Sequence, residues 1–346
     1  MSTLRIGLAG LGYWGKHYFR LVNESDESSL VAIYDIDSHR LAYWHRQCPE
    51  ARVYTEAKEF FSCSLDGVII ATPASSHYSL VKMALELGLP VLVEKPFTST
   101  SQQAEELAIL AEQRGLPLLV GHTYLFAEPI RFLRRCIQQG SIGRLHYINS
   151  WRLNLGAIRH DCSVLWDLAV HDVAILLYLL EDRPTFIAAH QASRHPGGRA
   201  DYAIVRLDFE QGVSAAIQVS WFWPEKVRSL TLIGSLAAAY YNDLNAQSPV
   251  RLYVWKPLSE SSSVIPEIPP CDYTVITPSL PTSEPLRNLV KHYFECIQGR
   301  AKPISDAWFA LEVIRILEEA ERAALLAMGQ RHGQQSLNYL QPVNTF

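Results

Sequence analysis

The chain has 346 residues, enough for two domains with separate cores. Its 31 basic and 35 acidic side chains leave a net charge of −4, which argues against a nucleic-acid surface or a membrane-seeking basic face. At 48% hydrophobic and 19% charged, the composition is that of a folded globular protein.

Six cysteines (Cys48, Cys63, Cys136, Cys162, Cys271, Cys296) form no CxxC pair and no metal-like spacing with histidine. They read as reduced thiols, with no metal site. The apolar stretch Leu4 to Leu11 contains glycines at 7, 10 and 12, which suits a buried strand entering a turn better than a signal peptide. The later apolar run Val173 to Leu180 is too short to span a bilayer. A cytoplasmic protein without a membrane partner is expected.

In chain order, the first 120 residues alternate strand and helix patterns, which predicts a parallel sheet. Strands are expected at Leu4 to Ala9, Leu30 to Tyr34, Val68 to Ala71, Val91 to Val93 and Leu118 to Val120. Helices are expected at Trp14 to Asn23, Ser76 to Leu87 (closed by Gly88) and Ser101 to Arg114. Beyond Gly121 the texture changes. A helix from Glu128 to Gln139 and a strand from Leu145 to Leu155 precede a strongly apolar helix from Ser163 to Leu180. Short strands follow at Phe186 to Gln191, Tyr202 to Phe209, Val213 to Ser220, Ser229 to Ile233 and Leu252 to Trp255, implying an antiparallel sheet. A Ser/Pro-rich stretch from Pro257 to Pro285 reads as a surface excursion, and helices Pro285 to Gln298 and Asp306 to Leu325 close the chain. The expected division is a domain over 1–121 and a second over 122–346.

Gly10-Leu11-Gly12-Tyr13-Trp14-Gly15 follows the first strand and opens the first helix, the context that makes this glycine spacing a dinucleotide turn. Glycines let the backbone approach a pyrophosphate, and the helix N-terminus favours its charge. Asp35 ends the second strand, 35 − 15 = 20 residues past the last glycine, where a carboxylate accepts hydrogen bonds from the adenosine ribose. An acid there disfavours a 2′-phosphate, so NAD is expected over NADP, although His39 and Arg40 lie close enough to oppose this. Thr72, Pro73 and His77, with Ser75 and Ser76, follow the third apolar strand at the same sheet edge and are expected to line the cofactor. Glu94-Lys95-Pro96 follows the next strand, which places Lys95 beside whatever the glycine turn binds. Asp167 and His171 lie four apart on the apolar helix and share a face, a pairing in which the carboxylate orients the imidazole.

With these residues in view, the sequence resembles the Gfo/Idh/MocA (glucose-fructose oxidoreductase / inositol dehydrogenase) family. The resemblance rests on AGLGYWGKHY, ATPASSHYSLVKMALELGLPVLVEKPFT, DLAVH and PLRNLVKHYFECIQGRAKPISDA. It implies an N-terminal Rossmann domain and a C-terminal open-faced, mostly antiparallel sheet that mediates homo-oligomerisation. It further implies Lys95 as catalytic lysine, Asp167 and His171 as the Asp–His pair, Asp35 and Glu94 at the cofactor, and a cis Lys95–Pro96 bond.

A narrower resemblance lies in Gly12-Tyr13-Trp14-Gly15-Lys16, in Arg152-Leu153-Asn154-Leu155-Gly156-x-Ile158-Arg159 and in Ser220-Trp221-x-x-Pro224-Glu225-Lys226-Val227-Arg228. These are similar to the branch that oxidises C3′ of UDP-N-acetyl-2-amino-2-deoxyglucuronate in surface-polysaccharide biosynthesis. Asn154, Arg159, Lys226 and Arg228 are then the candidates for the substrate's acid groups. Two other readings remain open, a dehydrogenase for inositol or a simple sugar and an NAD-sensing regulator without turnover. Ala307-Trp308-Phe309 departs from the small residues usual in relatives.

Overall fold

The computed structural model describes residues 3–338 apart from 157, 160–161, 195–198 and 257–271, with side chains through 327. Most of the expected Ser/Pro-rich excursion, including Cys271, lies outside the described residues. The chain divides into two compact units, one formed by residues up to Glu128 with Thr282–Arg315, the other by Pro129–Pro281 with the residues from Ile316 onward. This differs from the contiguous division at 121. The chain returns to the first unit after the second sheet, and a contiguous sequence reading has no signal for such a return.

The first unit runs β1 (Leu4–Ala9), α1 (Gly15–Asn23), β2 (Ser28–Tyr34), α2 (Ser38–His45), β3 (Arg52–Tyr54), α3 (Ala57–Phe61) and β4 (Gly67–Ile70). It continues through α4 (His77–Glu86), β5 (Val91–Val93), α5 (Ser101–Arg114) and β6 (Leu118–Val120). Among the described residues these strands form one six-stranded parallel sheet in the order β3-β2-β1-β4-β5-β6. The residues of β4, β5 and β6 are all buried, as expected for strands covered on both faces. Thr100 caps α5 by accepting from Gln103 N–H, and Gly115 closes it at φ 61°. The sheet order reverses between β1 and β4, and their carboxyl ends there open the crevice in which such sheets bind ligands.

The second unit contains most of α6 (Glu128–Gln138), then β7 (Leu145–Leu155), a π turn at Leu165–Ala169, α7 (Val170–Leu180) and β8 (Pro184–Ala192). It adds β9 (Tyr202–Phe209), β10 (Ser214–Ser220), β11 (Phe222–Gly234), β12 (Ala237–Asn242), β13 (Val250–Trp255) and β14 (Tyr273–Ile276). Helix α8 (Pro285–Ile297) belongs to the first unit, and α9 (Ala307–Asn338) follows. The second sheet has the order β14-β13-β12-β11-β7-β10-β9-β8 and is antiparallel except for the β7–β10 pair. Its strands alternate. Ala203, Val205, Leu207, Ala215, Ile217 and Val219 are buried on one face, whereas Tyr147 and Trp151 are exposed on the other. No described helix is long and apolar enough to cross a membrane.

Candidate active site

In the first unit the glycine turn is built as its spacing requires. Gly10 has φ +90°, and a Cβ there would meet Ala71 carbonyl atoms at 2.6 Å. A Cβ on Gly15 would fall 2.0 Å from the Gly10 oxygen. At Gly12, by contrast, a Cβ meets nothing within 4 Å, so no packing within the chain requires glycine there. Trp14 caps α1 without a side-chain hydrogen bond, and no acid stands in the helix's first turn. The Lys16 and His17 amides donate to the Gly12 and Trp14 carbonyls at 3.2 and 2.9 Å, so an anion at this end would meet the helix dipole with no acid opposing it. The turn fits a dinucleotide pyrophosphate. Tyr13 and Trp14 are exposed at its rim.

Asp35 is buried at the end of β2, and its carboxylate accepts from Leu11 N–H at 2.8 Å and from Asp37 N–H at 3.0 Å. This ties the glycine turn to the end of β2. Arg40 also reaches Asp35, Nη1 to Oδ2 at 3.1 Å, while its own side chain remains largely exposed. The cation foreseen as a possible opponent of the acid is thus in contact with it.

The loop carrying Lys95 is fastened from behind. The Lys95–Pro96 bond is cis. Glu94 is buried; its Oε1 accepts from Tyr18 O–H at 2.7 Å and its Oε2 from the Lys95 N–H at 3.1 Å. Burial raises the Glu94 carboxyl above its ordinary range, against the lowering effects of Tyr18 and Lys95. Glu94 therefore anchors the lysine loop. His77 is likewise turned to the chain. It is 1% exposed, and its ring nitrogens lie 2.9 Å from the carbonyl oxygens of Pro96 and Thr72. Burial pushes its imidazole down, with the carbonyl acceptors opposing. The ring holds the Thr72 turn to the Lys95 loop. Ser76 Oγ lies 2.8 Å from both Thr72 Oγ1 and the Pro73 carbonyl, completing that turn.

In the second unit, Asp167 lies in the π turn and His171 in the first turn of α7. Single π turns inside helices recur at functional sites. Trp221, fully buried after β10, donates its indole N–H to Asp167 Oδ2 at 3.1 Å, and Arg159 Nη1 pairs with Oδ1 at 3.5 Å. The neighbouring Asp172 is buried, accepting from Ser150 Oγ at 2.6 Å and from Arg152 Nε and Nη2 at 2.8 and 3.1 Å. These bonds pin the start of α7 to β7, beside His171. Sequence reading missed the roles of Trp221 and Arg152. Arg152 is inward-facing on an alternating strand, and a charge at such a position is the signal that could have marked it.

Of the substrate candidates, Asn154 lies against Gly156, and the β7–β11 register breaks between Phe222 and Val227, opposite it. Lys226 is exposed in that bulge. Arg228 is bonded to Asp243 at 3.3 Å.

Comparison with known proteins agrees with this geometry. Residues 4–122 match the model described as "Oxidoreductase family, NAD-binding Rossmann fold", and residues 130–240 match the GFO/IDH/MocA C-terminal domain. The chain belongs to the Gfo/Idh/MocA family. Its first domain is an NAD-binding Rossmann domain. A D-apiose dehydrogenase of Paraburkholderia graminis is 28% identical over 62% of this chain and 60% of its own length, so the chain spans less than two thirds of that relative. The UDP-N-acetylglucosamine 3-dehydrogenase of Acidithiobacillus ferrooxidans is 26% identical over 70% of this chain and 78% of that protein. A solved structure of that enzyme has TM-score 0.81 at 22% identity, covering 93% of this chain and 98% of the other, a likeness of fold. An Agrobacterium radiobacter oxidoreductase solved with NAD+ gives TM-score 0.80 at 20% identity, over 94% and 97%.

Proposed function

We propose that this protein is an NAD-dependent dehydrogenase that oxidises the C3′ hydroxyl of a UDP-N-acetyl-hexuronate-type sugar nucleotide, as in surface-polysaccharide biosynthesis. The observation that carries the dehydrogenase reading is Lys95, held at the carboxyl end of β5 by the Glu94–Tyr18 bond, in the same sheet edge as the glycine turn. Bound NAD supplies a hydride acceptor at nicotinamide C4. Lys95 binds and polarises the reacting oxygen. His171 takes the hydroxyl proton, while Asp167, fixed by Trp221, orients the imidazole. The carbinol carbon loses hydride and the oxygen loses its proton, leaving a ketone. Replacing either Lys95 or His171 removes a group of the kind worth roughly 10²–10⁴-fold in turnover.

The sugar-nucleotide reading is supported by Lys226 and Asn154 at the β7–β11 bulge, by Arg159 against Asp167, and by likeness to a UDP-N-acetylglucosamine 3-dehydrogenase. A second reading is a free polyol such as inositol, which requires no cations for phosphate. Inositol 2-dehydrogenase of Corynebacterium glutamicum is also 26% identical, over 63% of this chain. Initial rates with UDP-N-acetylglucosaminuronate, UDP-N-acetylglucosamine, inositol and apiose decide between them. The first is expected to give the highest kcat/KM; a preference for a free sugar refutes the nucleotide assignment.

The exposed sheet face holding Tyr147, Trp151 and Phe186 is the surface we assign to a homo-oligomer. Light scattering is expected to show an oligomer that Trp151→Asp dissociates; an unchanged mass after that substitution refutes this surface.

A further inference from the structure

The carboxylate at the end of β2 carries a cation with it. Asp35 is 5% exposed, and its acceptor positions are partly taken by the chain. Of the roughly four lone-pair positions a carboxylate offers, Leu11 N–H fills one on Oδ2 at 2.8 Å and Asp37 N–H fills one on Oδ1 at 3.0 Å. Arg40 Nη1 straddles both oxygens, 3.1 Å from Oδ2 and 3.4 Å from Oδ1. Room remains for a ribose hydroxyl, but the negative charge is already answered by a guanidinium.

The second acid of this loop is also turned to the chain. Asp37 caps α2, its Oδ1 accepting from the N–H groups of His39 and Arg40 at 3.0 and 3.1 Å. Its Oδ2 lies 3.6 Å from Arg40 Nη2, a charge contact too long for a hydrogen bond. All side-chain hydrogen bonds of Arg40 to described residues therefore leave from Nη1. A guanidinium has further donors on Nε and Nη2, and here they sit on a side chain that is 44% exposed. An exposed pair of this kind adds little to stability, so folding gives no strong reason for an arginine at this place.

We propose that Arg40 is a binding residue for a ribose 2′-phosphate, so that the dinucleotide site takes NADP as well as NAD. Asp35 accepts from the ribose hydroxyl of NAD. Arg40 donates its uncommitted N–H groups to the phosphate oxygens of NADP, a match that suits the planar fork of a guanidinium. An acid alone at this position would repel the phosphate; the contact with Arg40 offsets that charge where it acts. The inference rests on the NAD-binding domain and not on the sugar proposed above, because the test contains no sugar.

Isothermal titration of the full chain with NAD and NADP, and with the fragments adenosine 5′-monophosphate and adenosine 2′,5′-bisphosphate, tests it. Wild type is expected to bind NADP within about tenfold of NAD. Arg40→Met keeps the apolar stem and removes the fork. It should weaken NADP and the bisphosphate about tenfold or more, with a much smaller effect on the partner lacking the 2′-phosphate. Arg40→Lys keeps the charge without the fork and should fall between the two. Equal weakening of NAD and NADP by Arg40→Met overturns the proposal; Arg40 would then only hold Asp35 in place. An NADP affinity unmoved by either substitution overturns it too, as does a wild type that binds NAD and gives no binding heat with NADP.

Discussion

Arg152→Met tests whether the start of α7 is held by the ion pair beneath it. The substitution keeps the apolar stem and removes the guanidinium from a carboxylate that is 2% exposed. Asp172 would retain the Ser150 hydroxyl at 2.6 Å while losing two charge-assisted bonds at 2.8 and 3.1 Å. Breaking one half of a buried pair costs about 3–5 kcal/mol, whereas replacing both halves with apolar groups is often near neutral. The cycle therefore predicts a loss of about 4 kcal/mol for Arg152→Met, a similar loss for Asp172→Leu, and about 1 kcal/mol for the double variant. Differential scanning calorimetry at matched pH should show both single variants melting roughly 10 °C lower, with most of this regained in the double. Turnover should track the same pattern, because Asp172 adjoins His171. If Arg152→Met melts within about 1 °C of wild type, or if the single losses simply add, the pair does not hold the helix.

Three further predictions follow from the cofactor edge and the buried rings. Gly12→Ala should fold normally, since its Cβ meets no atom of the chain within 4 Å, yet weaken NAD by about tenfold, or ~1.4 kcal/mol, in isothermal titration; unchanged affinity would refute the cradle. Gly10→Ala, with φ +90° and a 2.6 Å approach to Ala71, should lose stability instead. Asp35→Asn should reduce the preference for NAD over NADP about tenfold or more, because Arg40 is already in contact with this position, and a preference unchanged by titration would show that the acid does not read the ribose. His122 gives the third. Its folded pKa of about 3 lies below the free value, so the unfolded chain binds the extra proton first. Its contribution is complete above the unfolded pKa and is lost as pH falls toward 3, at about 1.4 kcal/mol per pH unit over that window. Glu94, raised by burial, titrates with the opposite sign, so the comparison must be between wild type and His122→Phe. The variant's advantage in melting temperature should grow from pH 7 to pH 5; a constant difference would refute the assignment.

The parallel sheet and its glycine turn were legible because their signals are local. Buried β-branched runs mark β4 and β5, and Leu4–Ala9 and Ser101–Arg114 are found where periodicity and caps place them. Helix α2 and the short β3 and α3 escaped notice, because eight, three and five residues are too few for a clear period. Strand β14 lies inside the Ser/Pro-rich stretch from Pro257 to Pro285 that reads as a surface excursion, and it is exposed along its length, so nothing in its pattern announced a sheet partner. At the site, Lys95 and Asp35 follow from strand ends and counting, but the groups that fix them do not. Tyr18 reaches Glu94 across 76 residues and Trp221 reaches Asp167 across 54. Such contacts are properties of the fold, and no spacing along the chain carries them. His77 shows the converse case, a polar residue correctly placed at the sheet edge whose burial turns it toward the chain's own carbonyls.

The central claim is hydride transfer from a sugar carbinol carbon to NAD. The most direct measurement is a single turnover with UDP-N-acetylglucosaminuronate deuterated at C3′, followed by mass spectrometry of the recovered nicotinamide cofactor. Deuterium is expected on the reduced cofactor, with a 3-keto sugar nucleotide in equal amount, and both should be lost with Lys95→Met. NAD bound but never labelled, with this substrate and with deuterated inositol alike, would contradict it.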